Sequence, residues 1–219
     1  MSFSCFRALV FLTPFLGFSQ VVDKIVVQPA VIISWHNDSR WSFNTTLEQR
    51  TLVYHPVDAL HVQLAQFAQY KIGFYSQLGA GVMYRELIEP GAPEELRTSQ
   101  QFVNARTYNA LKVAHRLRWD QRWRGERLTH RWRYQLSGSI PLNGTVTDAS
   151  EYYLTAALET VFIAEDNQRP DYDQRVSAGI GKKFSSSYKL QFTAQYRWEN
   201  FTDTTNRLLF LNLALYYSL

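Results

Sequence analysis

From Gln20 onward, polar and apolar residues alternate with a period of two, the spacing of β-strands that present one face to each of two environments. Between Arg40 and Tyr54, Trp41, Phe43, Thr45 and Leu47 fall on one face, and Ser42, Asn44, Thr46, Glu48 and Arg50 on the other. Leu111, Val113, Leu117, Trp119 and Trp123 oppose Lys112, Arg116, Arg118, Asp120 and Arg122 in the same way. Leu128, Trp132, Tyr134, Leu136 and Ile140 oppose Arg127, Arg131, Arg133, Gln135 and Ser137. Tyr188–Trp198, Tyr172–Ile180 and Tyr152–Phe162 follow the same rule. No helix-period segment of useful length competes.

The pattern predicts strands near 25–36, 40–54, 58–70, 77–87, 99–108, 111–124, 127–140, 151–163, 171–183, 187–198 and 206–219. Runs of this length suit tilted strands crossing a bilayer. Eleven runs are visible, but single-chain bacterial outer-membrane barrels carry an even number. The expectation is therefore an all-β, closed, antiparallel up-and-down transmembrane barrel of about twelve strands, with ten as the alternative. The Pro29-containing first strand and the short Asn109-Ala110 turn are the places where the count is weakest.

Turn chemistry divides the runs. Asn and Asp in His36-Asn37-Asp38-Ser39 tolerate the dihedrals of a tight turn. Arg124-Gly125-Glu126-Arg127 reads as a two-residue hairpin with Gly at its first central position. That turn puts Trp119 opposite Trp132, Asp120 opposite Arg131, and Arg118 opposite Arg133, the last unfavourable without intervening carboxylates. Ile88–Ser99, Asn143–Ser150, Ala164–Asp171 and Glu199–Asn206 are longer polar stretches. The first has two prolines, Gly91 and a Glu pair, and is not expected to continue a strand. Long loops at one end with short turns at the other fit an outer-membrane barrel, except that Asn143–Ser150 is long where a short turn is due.

Alternation does not say which face is outside, since a soluble lipocalin-like barrel alternates too, with its apolar face inward. The apolar faces named above contain no Lys, Arg, Asp or Glu. A lipid-facing Arg or Lys at the midplane costs roughly 2–4 kcal/mol, so this segregation favours lipid outside and charge inside. Trp41, Trp123, Tyr152, Tyr172, Tyr188, Trp198 and Tyr217 lie near strand ends, as interfacial aromatic girdles do.

The first nineteen residues differ. Arg7 precedes an apolar run, Ala8–Phe18, too short to span as a helix; Gly17 and Ser19 are small residues before Gln20. This predicts a signal peptide over 1–19, a barrel over 20–219, and an outer-membrane location. The one cysteine, Cys5, lies inside that segment, so the mature chain excludes disulfides, thiolate metal sites and a Cys nucleophile. With Arg7 removed, 22 basic and 19 acidic residues remain. The last run, Arg207–Leu219, ends apolar at the final residue, similar to the signal read by outer-membrane insertion machinery, with Leu219 in place of the usual Phe.

Arg40-Trp41-Ser42-Phe43 through Leu47-Glu48-Gln49-Arg50, His115–Arg122 and Ser177–Phe184 resemble a domain-of-unknown-function family of outer-membrane barrels in Gram-negative bacteria. The resemblance covers most of the mature chain and implies a barrel and a location. It supplies no reaction, ligand or active-site residue.

Candidate chemistry therefore rests on the inward face. Arg116, Arg118, Arg122, Arg131 and Arg133 lie on two adjacent predicted strands; Arg50, Arg85, Arg175 and Arg197 join them, with Lys189, against Glu48, Asp120, Glu151, Glu159, Asp171 and Asp173. Fixed guanidinium groups raise the local concentration of anions, so one reading is a narrow, anion-leaning pore for small solutes. The other is a plugged structural or interaction barrel whose Arg and carboxylate side chains fill the interior. A membrane-embedded lipid hydrolase is the weakest reading: His115 and His130 fall on the lipid face, with no evident Ser partner. No catalytic residue, cofactor or metal set is predicted, and His36 and His61 are not spaced as a metal pair. Expected partners are outer-membrane lipids, the insertion machinery and small anions. Nucleic acid is not expected despite a pI of 9.2, because the basic residues line a closed sheet in an exported chain.

Overall fold

In a computed structural model, which describes residues 22–36, 40–53, 59–88, 91 and 93–219, eleven strands form one closed barrel. The segment read as a signal peptide and the centre of the His36–Ser39 turn lie outside the described residues. The strands are β1 (Lys24–His36), β2 (Trp41–Leu52), β3 (Ala59–Lys71), β4 (Ser76–Leu87), β5 (Glu95–Tyr108), β6 (Leu111–Arg124), β7 (Arg127–Pro141), β8 (Tyr152–Glu165), β9 (Asp171–Lys183), β10 (Tyr188–Glu199) and β11 (Asn206–Ser218).

The expected twelve strands, and the alternative ten, are corrected to eleven. The even-number rule assumes that the last strand closes antiparallel onto the first. Here β1 and β11 pair in parallel, Lys24 opposite Leu208 through Ser34 opposite Ser218, while every other neighbouring pair is antiparallel. Pro29 sits in β1 at this closure. It has no N–H to give a ladder, and the β1–β2 register passes over Gln28 and Pro29. A second correction concerns Ile88–Ser99. Its last five residues, Glu95 to Ser99, belong to β5 and pair with β4 and β6.

The Gly125 turn closes as its chemistry demands. Gly125 has φ 55° and Glu126 is not in the left-handed region. Trp119 opposes Trp132, Asp120 opposes Arg131, and Arg118 opposes Arg133. Asn109, at φ 54°, turns β5 into β6 with Tyr108 opposite Leu111.

Up-and-down order gives the barrel two mouths. The N-terminal mouth, where β1 begins, carries the connections at 53–58, 88–94, 125–126, 166–170 and 200–205; the C-terminal mouth, where β11 ends, carries 37–40, 72–75, 109–110, 142–151 and 184–187. Longer connections gather at the N-terminal mouth, and 142–151 is the long one at the other.

Sidedness follows from burial. Along β6, Leu117 is 54% exposed on the outer surface and Asp120 is fully buried inside. Leu47, Leu64, Leu78, Trp119, Trp132, Leu158, Phe192 and Leu213 are exposed outside, whereas Arg85, Arg97, Arg131, Arg175 and Arg197 are buried inside. The barrel is thus apolar outside and polar inside, the reverse of a soluble protein's core. Outward-facing amides are paired across strands: Thr45 donates to Gln66 (2.5 Å), Asn104 to Ser76 (2.9 Å) and Thr160 to Gln174 (2.8 Å). Such pairing removes the cost of placing an amide in an apolar layer.

Candidate functional site: an arginine-lined cavity

Period-two alternation on eleven strands aims their polar side chains at one axis. The result is a cavity of about 1370 Å³ inside the barrel, on the side of the N-terminal mouth. Ten of its lining residues are Arg50, Arg85, Arg116, Arg118, Arg122, Arg131, Arg133, Arg175, Arg197 and Glu159. Asp120 lies behind this lining, fully buried, where its carboxylate takes Ser99 Oγ at 2.7 Å and Arg133 Nε at 3.0 Å.

Each carboxylate gathers guanidinium groups from several strands. Glu95, 0% exposed, meets Arg85 (3.3 Å), Arg122 (3.3 Å), Arg124 (2.7 Å) and Arg97. Glu159 holds Arg116 and Arg175, each at 3.1 Å. Asp173 holds Arg131 (3.3 Å) and Arg175 (2.9 Å). Glu48 takes Arg50 at 3.1 Å, and Glu199 takes Arg175 and Arg197 at 3.5 Å. Arg118 has an amide instead: its Nη2 donates to Gln101 Oε1 at 2.7 Å, and its guanidinium lies 4.7 Å from the Phe67 ring. This relieves the Arg118–Arg133 opposition, because Arg133 turns to Asp120 and Arg118 turns away.

Cross-strand opposition did not choose the ion pairs. Asp120 opposes Arg131 in register, yet Arg131 pairs with Asp173 on β9 and Asp120 with Arg133. Glu95, Arg97, Arg124, Glu199, Phe67 and Tyr153 were not singled out from the sequence. Glu95 was concealed by its proline-containing neighbourhood. The Glu95, Arg97, Ser99, Gln101 alternation was the signal that would have placed it inside.

The lining has an excess of positive charge. Eleven arginines face five carboxylates there; adding the fully buried Glu95 and Asp120 still leaves four arginines unmatched. The Nε groups of Arg97, Arg116, Arg131 and Arg175 are buried with no hydrogen-bond partner among the described residues, as is Nε2 of His61. A guanidinium fork offers several N–H donors in fixed geometry, suited to carboxylate and phosphate oxygens.

The cavity lining ends, toward the C-terminal mouth, at Arg116, Gln135, Gln195 and Asn212. Beyond it aromatic side chains enter the interior. Phe67 lies against Gly81, where a Cβ would meet its ring at 2.6 Å. Tyr153, 8% exposed, packs on Gly181 and donates its hydroxyl to Gln191 at 3.0 Å. Gly81 and Gly181 are thus the places where the wall makes room for a ring.

The strand-end aromatics form two outward tiers. Trp41, Tyr152, Tyr188 and Tyr217 sit at the C-terminal mouth; Trp123, Tyr172 and Trp198 at the N-terminal mouth. Tyr188 stacks on Tyr217 (4.7 Å), Trp41 on Phe43 (6.3 Å), and Trp198 meets Tyr196 edge-on (4.5 Å). Of the outward histidines, His115 Nδ1 lies 2.9 Å from the Tyr134 hydroxyl, and His130 is stacked against Trp119 and Trp132, each at 5.8 Å. Neither is bonded to a serine among the described residues. No group of three His, Cys, Asp or Glu side chains able to hold a metal occurs there either.

The family signature described as protein of unknown function (DUF2490) matches residues 30–208. The chain belongs to this family. The match takes in most of the strands of the barrel, from within β1 to the start of β11, and all residues of the arginine cavity except Gln28, Phe210 and Asn212. Among solved structures, this DUF2490 chain is similar to OmpT (in-vitro folded), an outer membrane protein of Vibrio cholerae, at 11% identity and a TM-score of 0.46. That superposition covers 75% of this chain and 52% of the other, so the chain spans about half the length of the protein it resembles. No curated protein matches the chain.

Proposed function

We propose that the chain is an integral outer-membrane barrel whose arginine-lined interior takes up small anionic solutes. The observation that carries this reading is the cavity itself: about 1370 Å³, with more guanidinium groups than carboxylates and several buried N–H donors without a partner among the described residues. Fixed cations inside low-dielectric walls concentrate anions and repel cations.

The outer surface supports the membrane half of the reading. Charged residues at outward strand positions are confined to the strand ends: Glu86 and Arg207 toward one mouth, Arg106 and Lys182 toward the other. Arg106 lies under the Tyr75 ring (4.7 Å) and Lys182 under Tyr152 (4.9 Å). An uncharged band bounded by aromatic tiers is what a bilayer with two interfaces requires. Longer connections belong to the outside of such barrels, which orients the cavity outward. The lipids and the insertion machinery are its proposed partners.

Planar-bilayer recording tests the pore reading. With a KCl gradient, the expected result is a small conductance whose reversal potential follows chloride. Cation selectivity would overturn the anion assignment. The Phe67–Tyr153 tier favours a second reading, a closed barrel acting through its loops; a sealed bilayer holding folded protein that also fails to bind anions would leave that one standing.

A further inference from the structure

We infer that the C-terminal mouth holds a second anion site, separate from the arginine cavity, built from lysines and suited to a phosphate group. The barrel interior is divided by residue type. The positive groups of the cavity are arginines interleaved with carboxylates. Beyond Arg116, toward the C-terminal mouth, the charged residues at inward strand positions are Lys71, Lys112, Lys183 and Lys189, and no Asp or Glu occupies an inward strand position there among the described residues.

Lys183 and Lys189 are direct cross-strand partners on β9 and β10. Like charges directly opposite one another on a sheet face are destabilising. Lys112 adds to the repulsion felt by Lys189. The adjoining 142–151 connection carries Asp148 and Glu151, and the Glu151 carboxylate accepts the Asp148 amide at 2.8 Å. Lys183 Nζ donates to the Thr147 carbonyl at 3.0 Å, and among the described residues two of its three N–H groups are left for a ligand. Lys189 Nζ lies 4.4 Å over the Tyr216 ring, and the side chain is exposed at the mouth, open to a solute. Tyr153, bonded to Gln191, closes the floor beneath.

Lys183 and Lys189 thus place two ammonium groups on neighbouring strands at one mouth, above the Tyr153–Gln191 contact, which is the charge an anion requires. Ammonium is a compact, strongly hydrated point charge that suits phosphate oxygens and needs no planar partner. A phosphate group bridging Lys183 and Lys189 converts their repulsion into two attractive contacts.

Inorganic pyrophosphate titrated calorimetrically into the full chain refolded in zwitterionic detergent tests this. The wild type should bind it, and K183Q/K189Q should weaken that binding at least tenfold. K182Q is the control: it removes the adjacent outward-facing lysine and should leave the affinity unchanged. The double variant relieves a like-charge pair, so it should fold, as heat-modifiable gel mobility will show. Binding that survives in the double variant belongs to the arginine cavity, so failure of that reading is told apart from failure of this one. Repeating the titration with vesicles of phosphatidylcholine with and without phosphatidate identifies the phosphate source: competition by phosphatidate points to a lipid headgroup, no competition to the free anion, and both uphold the site. No heat with the wild type, equal affinity in K183Q/K189Q, or equal weakening by K182Q would overturn it.

Discussion

Replacing Glu95 with Gln keeps the side chain's volume and removes its charge. The carboxylate is completely buried and receives Arg85, Arg97, Arg122 and Arg124. Arg124 is 39% exposed and its share is screened by water. Arg85 and Arg97 are buried and Arg122 is part-buried, and removing their counter-charge leaves uncompensated guanidinium groups inside the barrel. Breaking a buried pair from one side costs about 3–5 kcal/mol, and the polar-lined cavity beside these groups sets the expectation at the lower end, about 3 kcal/mol. Urea titration of the protein in lipid vesicles, followed by tryptophan fluorescence, reads this loss directly. Adding Arg97→Gln to Glu95→Gln should recover part of it, because one stranded cation is removed. Sulfate should narrow the gap between variant and wild type more than chloride does, since an anion bound only by the folded barrel stabilises it. A loss under about 1 kcal/mol, the size of an exposed ion pair, would refute the view that Glu95 organises the arginines of β4, β5 and β6.

Leu117→Arg places a charge at the middle of the outward band and should cost roughly 2–4 kcal/mol in vesicles, measured by the same titration; a neutral outcome would argue that this face meets water. Tyr153→Ala removes the ring that closes the interior on Gly181 and should raise bilayer conductance above wild type, while an unchanged trace would place the constriction elsewhere. Gly125→Ala forces a Cβ into the left-handed region at φ 55° and should destabilise by about 1 kcal/mol without moving the β6–β7 register; a change in the anion selectivity of that variant would contradict its being a turn effect alone.

Much of the barrel was legible in the chain because a strand's two faces are written at every second residue. Trp119 opposite Trp132 followed from one glycine turn. Closure was not legible: whether β1 meets β11 in parallel or antiparallel depends on how the whole sheet curls, and the local cue was only a proline that lacks a ladder donor. Glu95 escaped because two prolines and a Glu pair upstream read as loop until the alternation through Gln101 is weighed. The ion pairs escaped for a geometric reason. Strands lie ≈ 4.8 Å apart, and inside a curved wall a guanidinium reaches past its neighbour, so Arg131 on β7 finds Asp173 on β9 and Arg116 on β6 finds Glu159 on β8. Sequence alternation gives the face of such residues but not their partners.

The central claim is that the apolar face meets acyl chains while the charged face stays wet. All six tryptophans lie on the outward face, Trp35, Trp41, Trp119, Trp123, Trp132 and Trp198, so their fluorescence reports on that face alone. Reconstitution into vesicles of acyl-brominated phosphatidylcholine should quench most of the emission, with aqueous iodide quenching little. Strong iodide quenching with no effect of the brominated lipid would contradict the account.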